Sequence, residues 1–255
     1  MTDDELTRRS FVTQSALAAA AAFPLGSPRP PRPPHPASLK VVCVGAHPDD
    51  PESGCGGTLA RYAALGHRVT IVYLTRGERG IDGKSLDEAA RIRSAEAEAA
   101  CRLLGATPVF FGQIDGATEV TRAQVESMTR LLAAERPDAL FTHWPVDTHM
   151  DHQVASTLTT RAWMSLGAAG GALYFFEVDT GSQTEGFFPN TYVDVSDVVE
   201  KKKAALFAHV SQDGQAIWRE HHEVMTQWRG REMGVAGAEA FVHLSRDRSS
   251  PLPGL

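Results

Sequence analysis

The chain has 255 residues, 42% of them hydrophobic and 22% charged, which excludes a disordered or fibrous protein. Its net charge of −6 excludes broad electrostatic binding to nucleic acid or to an anionic membrane. Three scattered cysteines, Cys43, Cys55 and Cys101, are too few for a disulfide framework or a thiolate zinc site.

The first residues read as a targeting segment rather than as part of the fold. Arg8 and Arg9 precede Ser10, Phe11 and a short alanine-rich run that ends near Phe23. That order resembles a twin-arginine export signal over residues 1–26 and implies a bacterial protein delivered to the periplasm or the medium. The run is too short for a membrane span and no cysteine follows it, so no stable membrane anchor is expected. Residues 27–38 include SPRPPRPPHP, a stiff polyproline linker without core-forming capacity. The folded domain is expected over 39–255.

Lys40, Val41, Val42, Cys43 and Val44 form a short apolar run, as expected of a strand buried on both faces of a parallel sheet. A helix is predicted over 55–65, ended by Gly66, then a strand over 69–74. After the glycine-containing loop 76–83, the stretch 86–104 is rich in alanine and glutamate without a breaker and reads as a helix. A strand over 108–111, a helix over 121–135 and a strand over 138–142 follow. The remaining elements are a helix over 155–166, strands over 172–176 and 191–195, a helix capped by Ser196 and running to 207, and a helix over 215–233. Strands alternating with helices at this spacing mean an α/β fold, with a doubly wound, mostly parallel sheet, helices on both faces and a single domain. In such sheets ligands bind beyond the carboxyl ends of the strands.

The unusual residue clusters fall at those ends. The first strand runs into Ala46, His47, Pro48, Asp49 and Asp50, with Glu52 following. Adjacent aspartates repel each other unless a cation is near, and His47 and Asp50 can face one ion together. The fourth strand runs into His143 and then His149, Met150, Asp151 and His152. His152 supplies the third ligand, with His143 as its rival, and Asp151 caps the next helix or orients an imidazole. Two imidazoles, a carboxylate and an open position make a catalytic zinc site, whose water has a pKa of roughly 7. Asp49 would take the proton of that water, and His149 would stabilise the tetrahedral intermediate or protonate the leaving group. Ser53 among glycines lacks the G-x-S-x-G setting of a serine nucleophile. His221 and His222, on a regular helix, cannot share a face and read as surface residues.

Residues 46–52, AHPDDPE, match the AHPDDxE signature of the PIG-L/LmbE-like deacetylases, and HMDH over 149–152 matches that family's HxDH motif. Weaker matches follow in order at Gly56-Gly57-Thr58, Thr75-Arg76-Gly77-Glu78, Arg93 to Ala97, Asp115-Gly116 and the segment from Lys203 to Gln212. The chain therefore resembles that family along the whole domain, 39–255. The resemblance implies a Rossmann-like zinc enzyme, with one ion per chain, that removes acetyl from an N-acetylglucosamine-type amide. It implies His47, Asp50 and His152 as ligands, Asp49 as base, His149 as oxyanion stabiliser or acid, and Arg93 and Asp115 as lining of the sugar pocket. The expected partner is a small-molecule or glycan substrate. The rival readings are a zinc esterase or amidase on a non-sugar substrate and a carbohydrate-binding protein without catalysis.

Overall fold

Val41, Val42, Cys43 and Val44 are all buried because β1 (Lys40–Gly45) lies between two helical layers. The computed structural model describes residues 38–245. The expected export signal over 1–26, and all but the last residue of the expected linker over 27–38, lie outside the described residues.

From β1 the chain runs through α1 (Asp50–Ala64), β2 (Arg68–Tyr73), α2 (Leu86–Leu104), β3 (Thr107–Phe110), α3 (Arg122–Glu135), β4 (Ala139–His143), α4 (Met150–Leu166) and β5 (Ala172–Phe176). It continues through β6 (Thr191–Asp194), α5 (Val199–Phe207), α6 (Gly214–Ile217), a π-helical turn at Trp218–His222, α7 (Glu223–Met233) and β7 (Ala238–Leu244). The strands form one sheet in the order β3-β2-β1-β4-β5-β7-β6. The first five are parallel, and β7 runs antiparallel to both of its neighbours. The expected doubly wound α/β fold is thus present. Alternate residues of β1 enter opposite cores. Val41 and Cys43 pack with Leu59 of α1, Ala97 of α2 and Ala205 of α5, whereas Val42 and Val44 pack with Met128 of α3 and Leu158 of α4. Among the described residues no helix is long and apolar enough to cross a membrane.

Helix α2 matches its expected bounds because both of its signals are local: the Ser85 hydroxyl accepts from Glu88 N, and Gly105 ends it in a left-handed conformation. Helices α1 and α4 begin about one turn earlier than expected. Pro51 stands in the first turn of α1, where a missing N–H costs nothing, and Glu52 reaches back to the Asp49 N–H. The His149 imidazole accepts from Asp151 N at the start of α4. The motif residues are therefore helix starts rather than loop, and helix geometry sets their directions. Ser196 does not cap α5; it opens a short 3-10 turn, and its hydroxyl donates to Asp194.

Strand β7 is absent from the sequence-based expectations, and a charged residue, Glu239, stands second in it. Glu239 is buried, paired with Lys202 Nζ at 2.7 Å, and it accepts from Gly57 N and Thr58 N at 2.8 and 2.7 Å. This ties β7 to α1 and α5. Removing one partner of a buried pair leaves the other charge uncompensated, so Lys202→Met is expected to lower the unfolding free energy by about 3 kcal/mol in urea titration.

Candidate metal centre and substrate cleft

The chain leaves β1 toward β2 on one side, while β4 pairs with β1 on the other. The carboxyl ends of β1 and β4 thus flank the crevice where strand order reverses, the ligand position of such sheets. Both histidine–aspartate motifs open there, into a cleft of about 450 Å³ that includes His47, Asp49, Asp50, His149 and His152 in its lining.

Asp50, at the start of α1, lies between the imidazoles. Its Oδ2 is 3.2 Å from His47 Nδ1, and its Oδ1 is 3.4 Å from His152 Nε2. Each imidazole turns its other nitrogen to a further carboxylate: His47 Nε2 to Asp151 at 3.1 Å and Asp115 at 3.3 Å, His152 Nδ1 to Asp147 at 3.1 Å. Carboxylates behind ligating histidines fix the tautomer and leave the inner nitrogen free for an ion. Those carboxylates are themselves held. Asp151 accepts from Gly116 N at 2.8 Å and Thr118 Oγ1 at 2.5 Å, and Asp147 accepts from His149 N at 2.8 Å and Thr184 Oγ1 at 3.0 Å.

The donor set fits a divalent cation. His47, His149 and His152 bring donor atoms within 4.8 Å of one another, as do Asp50, His143 and His152, and also His47, Asp115 and Asp151. Imidazole and carboxylate without thiolate suit a first-row divalent ion. His143 is a poor ligand in this arrangement, because its Nε2 accepts the Ala46 N–H at 3.1 Å, which occupies that nitrogen's lone pair.

Asp49 is buttressed separately. Its φ of 107° is a left-handed backbone that a non-glycine residue adopts at a cost of about 1–3 kcal/mol. Glu52 Oε2 accepts its N–H at 3.2 Å, while Glu52 Oε1 accepts from Tyr73 Oη at 2.5 Å and lies 3.4 Å from His209 Nε2. From the cleft side Arg93 Nη2 donates to Pro48 O at 2.5 Å and to Asp49 Oδ2 at 3.2 Å. Burial raises the Asp49 pKa to about 6, against the pull of Arg93. The guanidinium fits because Gly77 and Gly80 have no side chain there; a Cβ on Gly80 would overlap Arg93 Nη1. Gly80→Ala is therefore expected to cut kcat about tenfold by displacing the group that orients Asp49, with Tm nearly unchanged because the displaced atom ends a flexible side chain.

His149 has its own constraint. Backbone N–H groups only donate, so the contact of Asp151 N to Nδ1 at 3.2 Å makes Nδ1 the acceptor. The proton of a neutral His149 is then on Nε2, which makes that nitrogen a hydrogen-bond donor. Burial and the neighbouring His47 and His152 lower its pKa, favouring this neutral form. At His152, burial acts downward, but Asp50 and Asp147 raise the pKa to about 9.

Residues 42–163 match the family model described as PIG-L, GlcNAc-PI de-N-acetylase. The diacetylchitobiose deacetylase of Thermococcus kodakarensis is 32% identical over 220 residues, covering 79% of this chain and 82% of that protein. The chain belongs to the PIG-L family. Its deacetylase relatives place it in the N-deacetylase class, hydrolases of amide carbon–nitrogen bonds. The PIG-L chain superposes on the N,N'-diacetylchitobiose deacetylase of Pyrococcus horikoshii with a TM-score of 0.72 at 25% identity, covering 96% of this chain and 95% of that one. It is also 30% identical over 228 residues to the 4-oxalmesaconate hydratase of Pseudomonas putida, covering 80% of this chain and 86% of that protein.

Of the eight residues given site roles from the sequence, seven border this PIG-L cleft and Asp151 stands behind His47, with some changes of partner. Arg93 and Asp115 border the cleft, yet their contacts are to Asp49 and His47. Asp151 orients His47 rather than the imidazole beside it, and the helix-capping side chain is His149. Asp147 went unnoticed although it stands two residues before His149. Its only sequence signal is an aspartate two residues ahead of the HxDH segment. His222 is a correction: expected on the surface, it is 2% exposed and borders the cleft. The regular helical period that implied surface is broken by the π-turn at Trp218–His222.

Proposed function

We propose that this PIG-L protein is an exported, zinc-dependent deacetylase of N-acetylated amino sugars. The observation that carries the reading is the double pairing of His47 and His152, each with one nitrogen on Asp50 and the other on a buried carboxylate. His47, Asp50 and His152 would hold the ion. Bound there, zinc would polarise the amide carbonyl and acidify water at neutral pH. Asp49, held by Glu52 and Arg93, takes a proton from the attacking water as the new carbon–oxygen bond forms. His149 Nε2–H donates to the oxyanion of the tetrahedral intermediate. Return of the proton to the amide nitrogen breaks the carbon–nitrogen bond, giving acetate and a free amine. The chemistry of the relatives, which act on diacetylchitobiose and on a 2-acetamido-2-deoxyglucopyranoside, supports an amino-sugar substrate. The amino-terminal sequence pattern supports export.

The test is acetate release from N-acetylglucosamine and its short oligomers by metal-stripped protein, before and after zinc is restored. Zinc-dependent release is the expected result. Tight zinc binding without acetate, together with water addition to an unsaturated tricarboxylic acid, would replace the deacetylase by a hydratase, in line with the Pseudomonas relative.

A further inference from the structure

Part of the cleft wall is built from two irregularities that the hydrolytic chemistry does not use. Between α6 and α7 the helix widens into the π-turn Trp218–His222, which brings His222 inward to 2% exposure. Such turns are rare and recur at functional sites. Beyond β5 the chain bends at Asp179, whose φ of 43° is left-handed and unfavourable for a residue with a Cβ. Ser182 N and Gln183 N donate to Asp179 O at 2.9 and 2.8 Å and close this bend. The two irregularities meet: His222 Nε2 lies 2.9 Å from Asp179 Oδ1, a buried oxygen that completes no well-aligned hydrogen bond. Arg229 grips Glu177, two residues away, at 2.7 and 2.8 Å and stiffens the wall from behind. Asp179, Gln183 and His222 border the same cleft as His47, Asp49, His149 and His152, yet neither Asp179 nor His222 belongs to any of the three metal-donor sets.

We propose that Asp179 and His222 form a hydroxyl-binding subsite that grips a saccharide ring whose N-acyl group lies at the metal centre. This rests on the deacetylase reading and names the feature of the substrate that is selected. A neutral imidazole beside a carboxylate carries its single proton on the facing nitrogen, here Nε2. Burial lowers the His222 pKa and keeps it neutral. What remains free is an imidazole lone pair on Nδ1 and a carboxylate oxygen, both acceptors. An acceptor pair takes hydrogen-bond donors, the hydroxyls of a sugar, and repels a carboxylate. A ligand of the same shape without hydroxyls leaves these acceptors unpaired and is rejected.

The test compares wild type, Asp179→Asn and His222→Phe, all zinc-loaded, on N-acetylglucosamine and on N-cyclohexylacetamide, a six-membered ring without hydroxyls. Asparagine tolerates the left-handed backbone at 179 and exchanges an acceptor for a donor, so it carries the test if His222→Phe does not fold. On the sugar, kcat/KM is expected to fall about ten- to a hundredfold, mostly through KM, while on the acetamide it stays within about twofold. If the wild type does not turn over the acetamide, its inhibition constant against N-acetylglucosamine replaces kcat/KM. Equal losses on both compounds, or none on the sugar, overturn the subsite. If the wild type releases no acetate at all, it is the deacetylase reading that fails. Calorimetric titration of zinc-loaded wild type and Asp179→Asn with N-acetylglucosamine then decides the subsite alone: weaker binding by the variant supports it, and equal or absent binding overturns it.

Discussion

Asp49→Asn is expected to lower acetate release about a thousandfold while leaving the fold intact, since a general base contributes about 10²–10⁴ in rate. Asparagine is among the few residues at ease with positive φ, so the value of 107° at this position is retained. Glu52 grips the backbone N–H rather than the side chain, and Arg93 can still donate to the amide oxygen. Stability should therefore change by no more than about 1 kcal/mol, as for a substitution that breaks no buried network. KM should hold, because the carboxylate acts on water rather than on the sugar. Steady-state kinetics beside a thermal melt separates the two effects. A variant that retains a tenth of the activity would move the base elsewhere.

Stripping the metal should abolish activity outright and lower Tm as well. An ion present at a thousandfold its Kd stabilises the native state by about 4 kcal/mol, provided the unfolded chain does not bind it. For a domain of this size that corresponds to about 8–16 °C. The apo-protein should nonetheless stay folded, because Asp50, Asp147 and Asp151 can pair with protonated His47 and His152. Scanning calorimetry after exhaustive chelation, then with zinc added back, checks both numbers. Unchanged activity after chelation would mean that the imidazole–carboxylate cluster needs no ion, and the metal-dependent reading would fall.

The sheet was legible where its signals are local. Strands β1, β2 and β4 are buried on both faces and show as apolar runs, and α2 carries its own serine cap and terminal glycine. Strand β7 was hidden, because Glu239 looks like a surface residue until Lys202 and the backbone of α1 are folded against it. The last helix misled in a different way. Its sequence has helical spacing throughout, and only the π-turn shifts His222 from the surface to the cleft.

The same division holds at the site. Chain order alone determined that two histidine–aspartate clusters stand at strand ends, and the strand–helix alternation determined that those ends share one edge of a parallel sheet. The identities of His47, Asp49, Asp50, His149 and His152 followed, because ligand chemistry depends on residue type and short spacing. Only the tertiary structure decided who holds whom. His47 and Asp151 are 104 residues apart, and Arg93 and Asp49 are 44 apart. Their contacts depend on β1 lying beside β4 and on glycines that leave room for a guanidinium. No local pattern encodes such pairings, because a side chain's partner is set by the packing of whole elements. The protein's cation chemistry is written in its motifs, and its geometry in the register of its sheet.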